Sequence, residues 1–241
     1  MIKPGVLCMF DYDGTLVPIV AQPDRTVMPD DILQLLVTLS SHAKVGVVTG
    51  RSMDDIRARL RFNADFIIGN HGMEGVPGWE GRFEGDKALC QGWVKVLNTA
   101  FEVPGAFETG ILLEDKRISL SVHYRLVHDH VETEKSLINL FQTLEPRPRV
   151  MGGKYVFNLL PMGAADKGSA LSQLMAVTGA PGAIYVGDDI TDEDVFQLRR
   201  KDILTVRIEP YPRSAAEFYL RDRREMSRLL DDLIQRLTPK E

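Results

Sequence analysis

The chain has 241 residues, of which 44% are hydrophobic and 26% charged. That is enough apolar material for one large domain or two modest ones, and it excludes a disordered chain. A net charge of -5 without a long basic run excludes nucleic acid and anionic lipid as main partners and leaves a small anion, recognised locally.

No stretch approaches the roughly 18 apolar residues of a membrane span, so no membrane partner is expected. The first strand-like run starts near residue 5, so no signal segment is expected. With Cys8 and Cys90 as the only cysteines, a cytoplasmic protein with free, packed thiols is expected.

In chain order, "GVLCMF" predicts a short buried strand and "DDILQLLVTLSSHA" an amphipathic helix. "KVGVVTG" predicts a strand and turn, "SMDDIRARLRF" a helix, and "ADFIIGNHG" a further strand and turn. Strand alternating with helix predicts a parallel sheet covered on both faces. The rhythm changes near the Gly and Pro cluster "GVPGWEGRFEG", residues 75–85. "DKALCQGWVKVLNTAF" then predicts a helix, "GAFETGILLED" and "RISLSVHYR" a hairpin, "VETEKSLINLFQTL" a helix, and "RVMGGKYVFNLLP" a second hairpin. This order implies an internal repeat. The first rhythm returns with helix "DKGSALSQLMAVTG", strand "GAIYVGDD", helix "DEDVFQLRR" and strand "DILTVRI". The expected fold class is α/β: a doubly wound parallel-sheet core from residues 1–75 and 161–241, with an α/β domain, residues 76–160, inserted into it.

The chemistry gathers at strand ends. "GVLCMF" runs into "DYDGTL", where Asp11 and Asp13 are separated by one residue and can lean to the same side of an extended backbone. The carboxyl end of a parallel strand is where open α/β sheets bind ligands, although "DG" also marks an ordinary turn. Thr49, in "VVTGRS", precedes a helix whose first N–H groups could face an anion or be capped. Lys167 opens a helix, against the dipole preference, as surface lysines also do. "YVGDDITDEDVF" carries five carboxylates: Asp188, Asp189, Asp192, Glu193 and Asp194. Such crowding is costly unless a cation neutralises it, and magnesium takes oxygen ligands. Glu193 and Asp194 also suit a helix start, with Asp192 between the two roles.

As a set, DxDGT, a Thr after the second strand, a Lys opening a helix and GDD after a later strand resemble the four motifs of the haloacid dehalogenase (HAD) superfamily of phosphatases. The resemblance implies a HAD-like core with an inserted cap domain that sets specificity. It implies that Asp11 attacks the phosphoryl group to give an aspartyl-phosphate, and that Asp13 protonates the leaving oxygen and then activates water. Thr49 and Lys167 would hold phosphoryl oxygens. Mg2+ would be bound by Asp11, the backbone carbonyl of Asp13 and Asp188, with Asp189 or Asp192 in support, and Thr15 would position Asp13.

"LLEDKRISLSVHYR", "GNHGME" and "YVGDDITDEDVF" together look like the trehalose-6-phosphate phosphatase family. The resemblance assigns sugar recognition to Glu114, Lys116, His123, Tyr124 and Arg125, and substrate binding also to Arg51, His71 and Asn158. Without the core motifs, Glu114, Lys116 and Arg125 read first as a cross-strand charge ladder, and His71 equally as a polar turn residue. Trp79 and Trp93 suit packing better than sugar stacking. Asn158 stands where the family usually carries a glutamate, which opens glucosylglycerol phosphate, sucrose phosphate or a mannosyl phosphoglycerate as alternative substrates. The expected partner is thus a sugar phosphate, with room for a functional link to a trehalose-6-phosphate synthase. The alternative of another class is a non-catalytic sugar-phosphate-binding regulatory module.

Overall fold

In the computed structural model, which describes residues 5–20 and 25–238, the apolar run Leu7–Phe10 forms strand β1. Its side chains alternate between two cores, Leu7 and Met9 in one, Cys8 and Phe10 in the other. Helix α1 (Asp30–Ser40) buries Ile32, Leu36 and Leu39, its stripe at helical spacing, in the core that holds Cys8 and Phe10. Strand β2 (Lys44–Val48), helix α2 (Met53–Arg59) and strand β3 (Phe66–Ile68) follow.

Residues Gly81–Ala164 form a compact unit of their own. Helix α3 (Glu84–Glu102), strands β4 (Leu112–Asp115) and β5 (Leu120–His123), helix α4 (His130–Phe141), and strands β6 (Arg149–Gly153) and β7 (Val156–Leu160) appear in that order. The strands form an antiparallel sheet ordered β4-β5-β7-β6. Leu120 and Val122 of β5 and Phe157 and Leu159 of β7 pack with Cys90, Trp93 and Leu97 of α3 and Leu137 and Phe141 of α4. By period-two alternation, Glu114, Ser121, His123 and Asn158 take the opposite face.

The remaining unit, Met1–Glu80 with Ala165–Glu241, resumes with helix α5 (Lys167–Thr178), strand β8 (Ala183–Gly187), helix α6 (Glu193–Phe196), strand β9 (Ile203–Ile208), strand β10 (Phe218–Leu220) and helix α7 (Met226–Leu237). Its six-stranded sheet has the order β10-β9-β8-β1-β2-β3, with every pairing parallel. Helices α1, α2 and α7 contribute to one core, and α5 and α6 to the other. Strand order reverses between β1 and β8, so their carboxyl ends border the crevice of a doubly wound sheet.

The unit boundaries fall at 80/81 and 164/165, against 75/76 and 160/161 from the sequence. On the first side the reason is packing: Val76 is buried beside Leu171 and Leu174 of α5, and Gln173 donates to the Pro77 carbonyl. The helix expected over "DEDVFQLRR" shrinks to a 3-10 turn, Ile190–Asp192, and the four residues of α6. Strand β10 and helix α7 were not anticipated. Among the described residues no helix is long and apolar enough to cross a membrane. Cys8 and Cys90 are free and buried.

Leu36 is fully buried whereas its neighbour Val37 is about half exposed. Leu36→Ala is expected to lower unfolding stability by about 2–5 kcal/mol, and Val37→Ala by well under about 1 kcal/mol, in chemical denaturation.

Candidate active site

Because Phe10 pairs with Val186 and the Asp11 N–H donates to the Val186 carbonyl at 2.8 Å, the ends of β1 and β8 present their carboxylates side by side. Asp11 is buried after β1, and Asp188 follows β8. Lys167, the first residue of α5 and 1% exposed, donates from Nζ to Asp11 Oδ1 at 2.7 Å and to Asp192 Oδ1 at 2.8 Å. It is a buried ion-pair residue and not a surface lysine.

Asp192 serves the start of the 3-10 turn Ile190–Asp192, where it closes a capping box with Asp189, and reaches into the site as well. Its Oδ2 accepts the backbone N–H groups of Asp188 and Asp189, each at 2.9 Å, and its Oδ1 accepts Lys167 and the Tyr185 hydroxyl at 2.7 Å. Glu193 is also turned inward, against Arg207 at 2.9 Å. Asp189 is exposed. Thr15, expected to position Asp13, instead donates to Asp188 Oδ1 at 2.9 Å. Gly14, at φ +90°, is required beside it, because a Cβ there would lie 2.0 Å from Asp188 Oδ2.

Asp13 is gripped by the Arg51 fork, Nε to Oδ2 at 2.6 Å and Nη2 to Oδ1 at 2.7 Å, a bidentate pair that fixes the orientation of the carboxyl. Arg51 also holds Asp55 at 2.6 Å. Burial works against the Arg51 charge, but the bonds to Asp13 and Asp55 outweigh it and raise its pKa. Thr49 is buried at the end of β2, where its Oγ1 accepts the Arg51 N–H at 3.2 Å. The Thr49 carbonyl accepts the His71 N–H, which fastens the turn that carries the buried His71 to the end of β2. At the start of α2, Ser52 caps the helix through the Asp55 N–H, and Glu74 accepts the Met53 N–H at 2.9 Å.

In the second unit, Glu114 Oε2 and His123 Nε2 meet at 2.9 Å. Asn158 and Ser121 are paired across β5 and β7, and the Ser121 hydroxyl donates to Asn158 Oδ1 at 2.6 Å. The charge ladder thus includes a histidine and an amide. Lys116 is buried just beyond β4, and Arg125 donates to the Lys154 carbonyl at 3.2 Å. Tyr124 lies apart from the Glu114 face, stacked on Phe157 with ring centroids 5.4 Å apart. Trp93 packs in the core of this unit and donates to the Pro146 carbonyl.

Asp11, Asp188 and Asp192 each offer an oxygen within 4.8 Å of the others. Against these three carboxylates stands the single Lys167 ammonium, so two negative charges are left over when all ionise. Burial first, then Asp192 and Asp188, push the Asp11 carboxyl well up, while Lys167 opposes them. Asp188 is pushed up to about 7 by burial and then Asp192, against Thr15 and Lys167. Burial also disfavours the Lys167 charge, but Asp11 and Asp192 more than offset it and hold the ammonium protonated. This all-oxygen donor set with excess negative charge fits a divalent cation.

The same doubly wound arrangement occurs in solved structures. The C-terminal domain of C. albicans trehalose-6-phosphate phosphatase matches with a TM-score of 0.76, covering 96% of this chain and 92% of that one at 21% identity. A haloacid dehalogenase-like hydrolase from Bacteroides thetaiotaomicron matches at 0.64, covering 95% and 99% at 15% identity. The fold is therefore that of the haloacid dehalogenase-like hydrolases. The trehalose-phosphatase family model matches residues 9–222, and the chain belongs to that family of phosphoric monoester hydrolases. The probable trehalose-phosphate phosphatase 3 of Oryza sativa subsp. japonica is 30% identical over 257 residues, covering 95% of this chain and 69% of the rice protein.

A carboxyl whose pKa is raised on folding binds more protons in the folded state than in the unfolded chain, so its contribution to stability falls as pH rises between the two values. For Asp188 that window runs from about 4 to about 7. In metal-free protein, the melting temperature of Asp188→Asn is expected to gain on the wild type across this window and level off above it. A variant that instead loses ground to the wild type as pH rises would contradict the charge excess.

Proposed function

We propose that the chain hydrolyses trehalose 6-phosphate to trehalose and phosphate through an aspartyl-phosphate on Asp11, with Mg2+ as cofactor. The observation that carries this reading is the buried Lys167–Asp11 contact at the β1/β8 crevice of a trehalose-phosphatase family member. Lys167 fixes Asp11 Oδ1, so the second oxygen is the one assigned to attack phosphorus. As the Oδ2–P bond forms, the bond from phosphorus to the sugar oxygen breaks, and that oxygen takes a proton from Asp13. The resulting Asp13 carboxylate, held in place by the Arg51 fork, then takes a proton from the water that attacks phosphorus, which releases phosphate and restores Asp11.

Thr49 and Lys167 are assigned to the phosphoryl oxygens. Arg51 is assigned to Asp13 in place of direct substrate binding. Mg2+ is assigned to Asp11, Asp188 and the Asp13 carbonyl, and supplies the positive charge that lets a carboxylate approach a phosphate. All four acceptor contacts of Asp192 are with protein donors, and Asp189 is exposed, so both are assigned supporting roles. His71, Glu114, Lys116, His123, Arg125 and Asn158 are assigned to the sugar, where carboxylate, amide and cationic groups suit hydroxyls. Retention of Asp11, Asp13, Thr49, Lys167 and Asp188 speaks against a silent regulatory module.

Phosphate release from trehalose 6-phosphate is expected to require Mg2+ and to fall by roughly 10³-fold or more in Asp11→Asn. Full activity in that variant would remove the nucleophile assignment. Much faster turnover of sucrose phosphate, glucosylglycerol phosphate or mannosyl phosphoglycerate would replace the substrate while leaving the reaction.

A further inference from the structure

Arg207 occupies an unusual place for a cation. It lies near the end of β9, paired with Gly187, in a strand otherwise built of Ile, Leu, Thr and Val. Its side chain is only 10% exposed and its partner Glu193 only 8%. Desolvating two charges is costly, and the hydrogen bonds the pair makes offset that cost. The Arg207 Nε is buried without a partner, and the other two nitrogens of the guanidinium serve Glu193 and one loop. Arg207 Nη1 donates to Glu193 Oε1 at 2.9 Å and to the Asp189 carbonyl at 3.0 Å, and Nη2 donates to the Asp188 carbonyl. The second Glu193 oxygen accepts the Ala215 N–H at 2.9 Å, which ties the pair to the segment between β9 and β10.

The loop after β8 is thus held from two sides. Asp192 takes the N–H groups of Asp188 and Asp189, and Arg207 takes their carbonyls. With both peptide edges fixed and Thr15 on Oδ1, the direction of the Asp188 carboxylate is set by Thr15, Arg207 and Asp192, of which only Asp192 belongs to the carboxylate cluster. We propose that the buried Arg207–Glu193 pair is a positioning device for Asp188, and that the affinity of this chain for its divalent cation depends on it. This inference rests on the metal reading above. It adds two residues that touch neither the metal ligands' carboxylates nor the sugar-binding set.

The test measures Mn2+ affinity directly, by electron paramagnetic resonance on the full chain, beside thermal melting of the same samples. Arg207→Lys keeps the charge but cannot serve a carboxylate and two carbonyls in fixed directions, and is expected to weaken Mn2+ binding about 10–100-fold. Glu193→Gln, the milder change and the safer folder, keeps size and an acceptor and is expected to weaken it less, in the same direction. Arg200→Ala, which removes an exposed pair with Asp202, is the control and leaves affinity unchanged. Earlier melting with unaltered Mn2+ affinity in both Arg207→Lys and Glu193→Gln would overturn the proposal and leave a structural role only. Wild-type protein that binds no Mn2+ would instead overturn the metal reading, and the inference with it.

Discussion

One ammonium group organises the centre of this protein. Lys167 Nζ lies between Asp11, at the end of β1, and Asp192, in the loop after β8, and so joins the two strands on either side of the point where strand order reverses. All three groups are buried, so deleting Lys167 leaves uncompensated carboxylates, at a cost of about 3–5 kcal/mol, whereas deleting either acid leaves the ammonium its other partner. The contact therefore fixes three elements at once: the strand that ends in Asp11, the helix that starts at Lys167 and the loop that presents Asp188.

The loop has its own internal logic. Asp192 spends its four contacts on protein donors, which makes it the organiser of a turn that would otherwise expose two N–H groups to a crowded anionic site. Gly187 is needed beneath it, since a Cβ there would lie 2.2 Å from the Asp192 Cγ. Asp188 is left as the carboxylate carried by a loop fixed at both peptide edges. A parallel arrangement holds the proton-transfer residue: the Arg51 fork on Asp13 is itself braced by Asp55, which Arg59 grips in turn at 2.8 Å. In both places an acid with an assigned chemical role is oriented by a cation whose geometry admits little freedom.

The alternation of strands and helices, the insertion, the strand-end positions of Asp11, Thr49 and Asp188 and the helix-start position of Lys167 were legible because they depend on local pattern and on motif spacing. Partners across long sequence separations were not. Nothing in "ILTVRI" says that its arginine reaches back to the Asp188 and Asp189 carbonyls, and nothing in "AIYVG" says that the tyrosine hydroxyl ends on Asp192. A signal was present in each case, a charge or a hydroxyl in a strand buried on both faces, which requires a partner. The acids of "DDITDEDVF" misled for a related reason. Helix-start preference accounts for only part of Asp192, which caps the 3-10 turn through the Asp189 N–H but also holds Lys167 and Tyr185, while the buried Glu193 answers to Arg207. Likewise, Thr15 reads as a neighbour of Asp13 in sequence, but the Asp-Gly turn swings it to Asp188.

The central claim is a charge balance: three buried or half-buried carboxylates and one lysine leave room for two positive charges. Cation binding to such a cluster must displace the protons that crowding retains. Calorimetric titration of Mg2+ into the wild-type protein near pH 6, in buffers of different ionisation enthalpy, measures this directly. The account predicts one ion per chain with net proton release that disappears well above pH 7. Binding without proton release, or no binding, would contradict it.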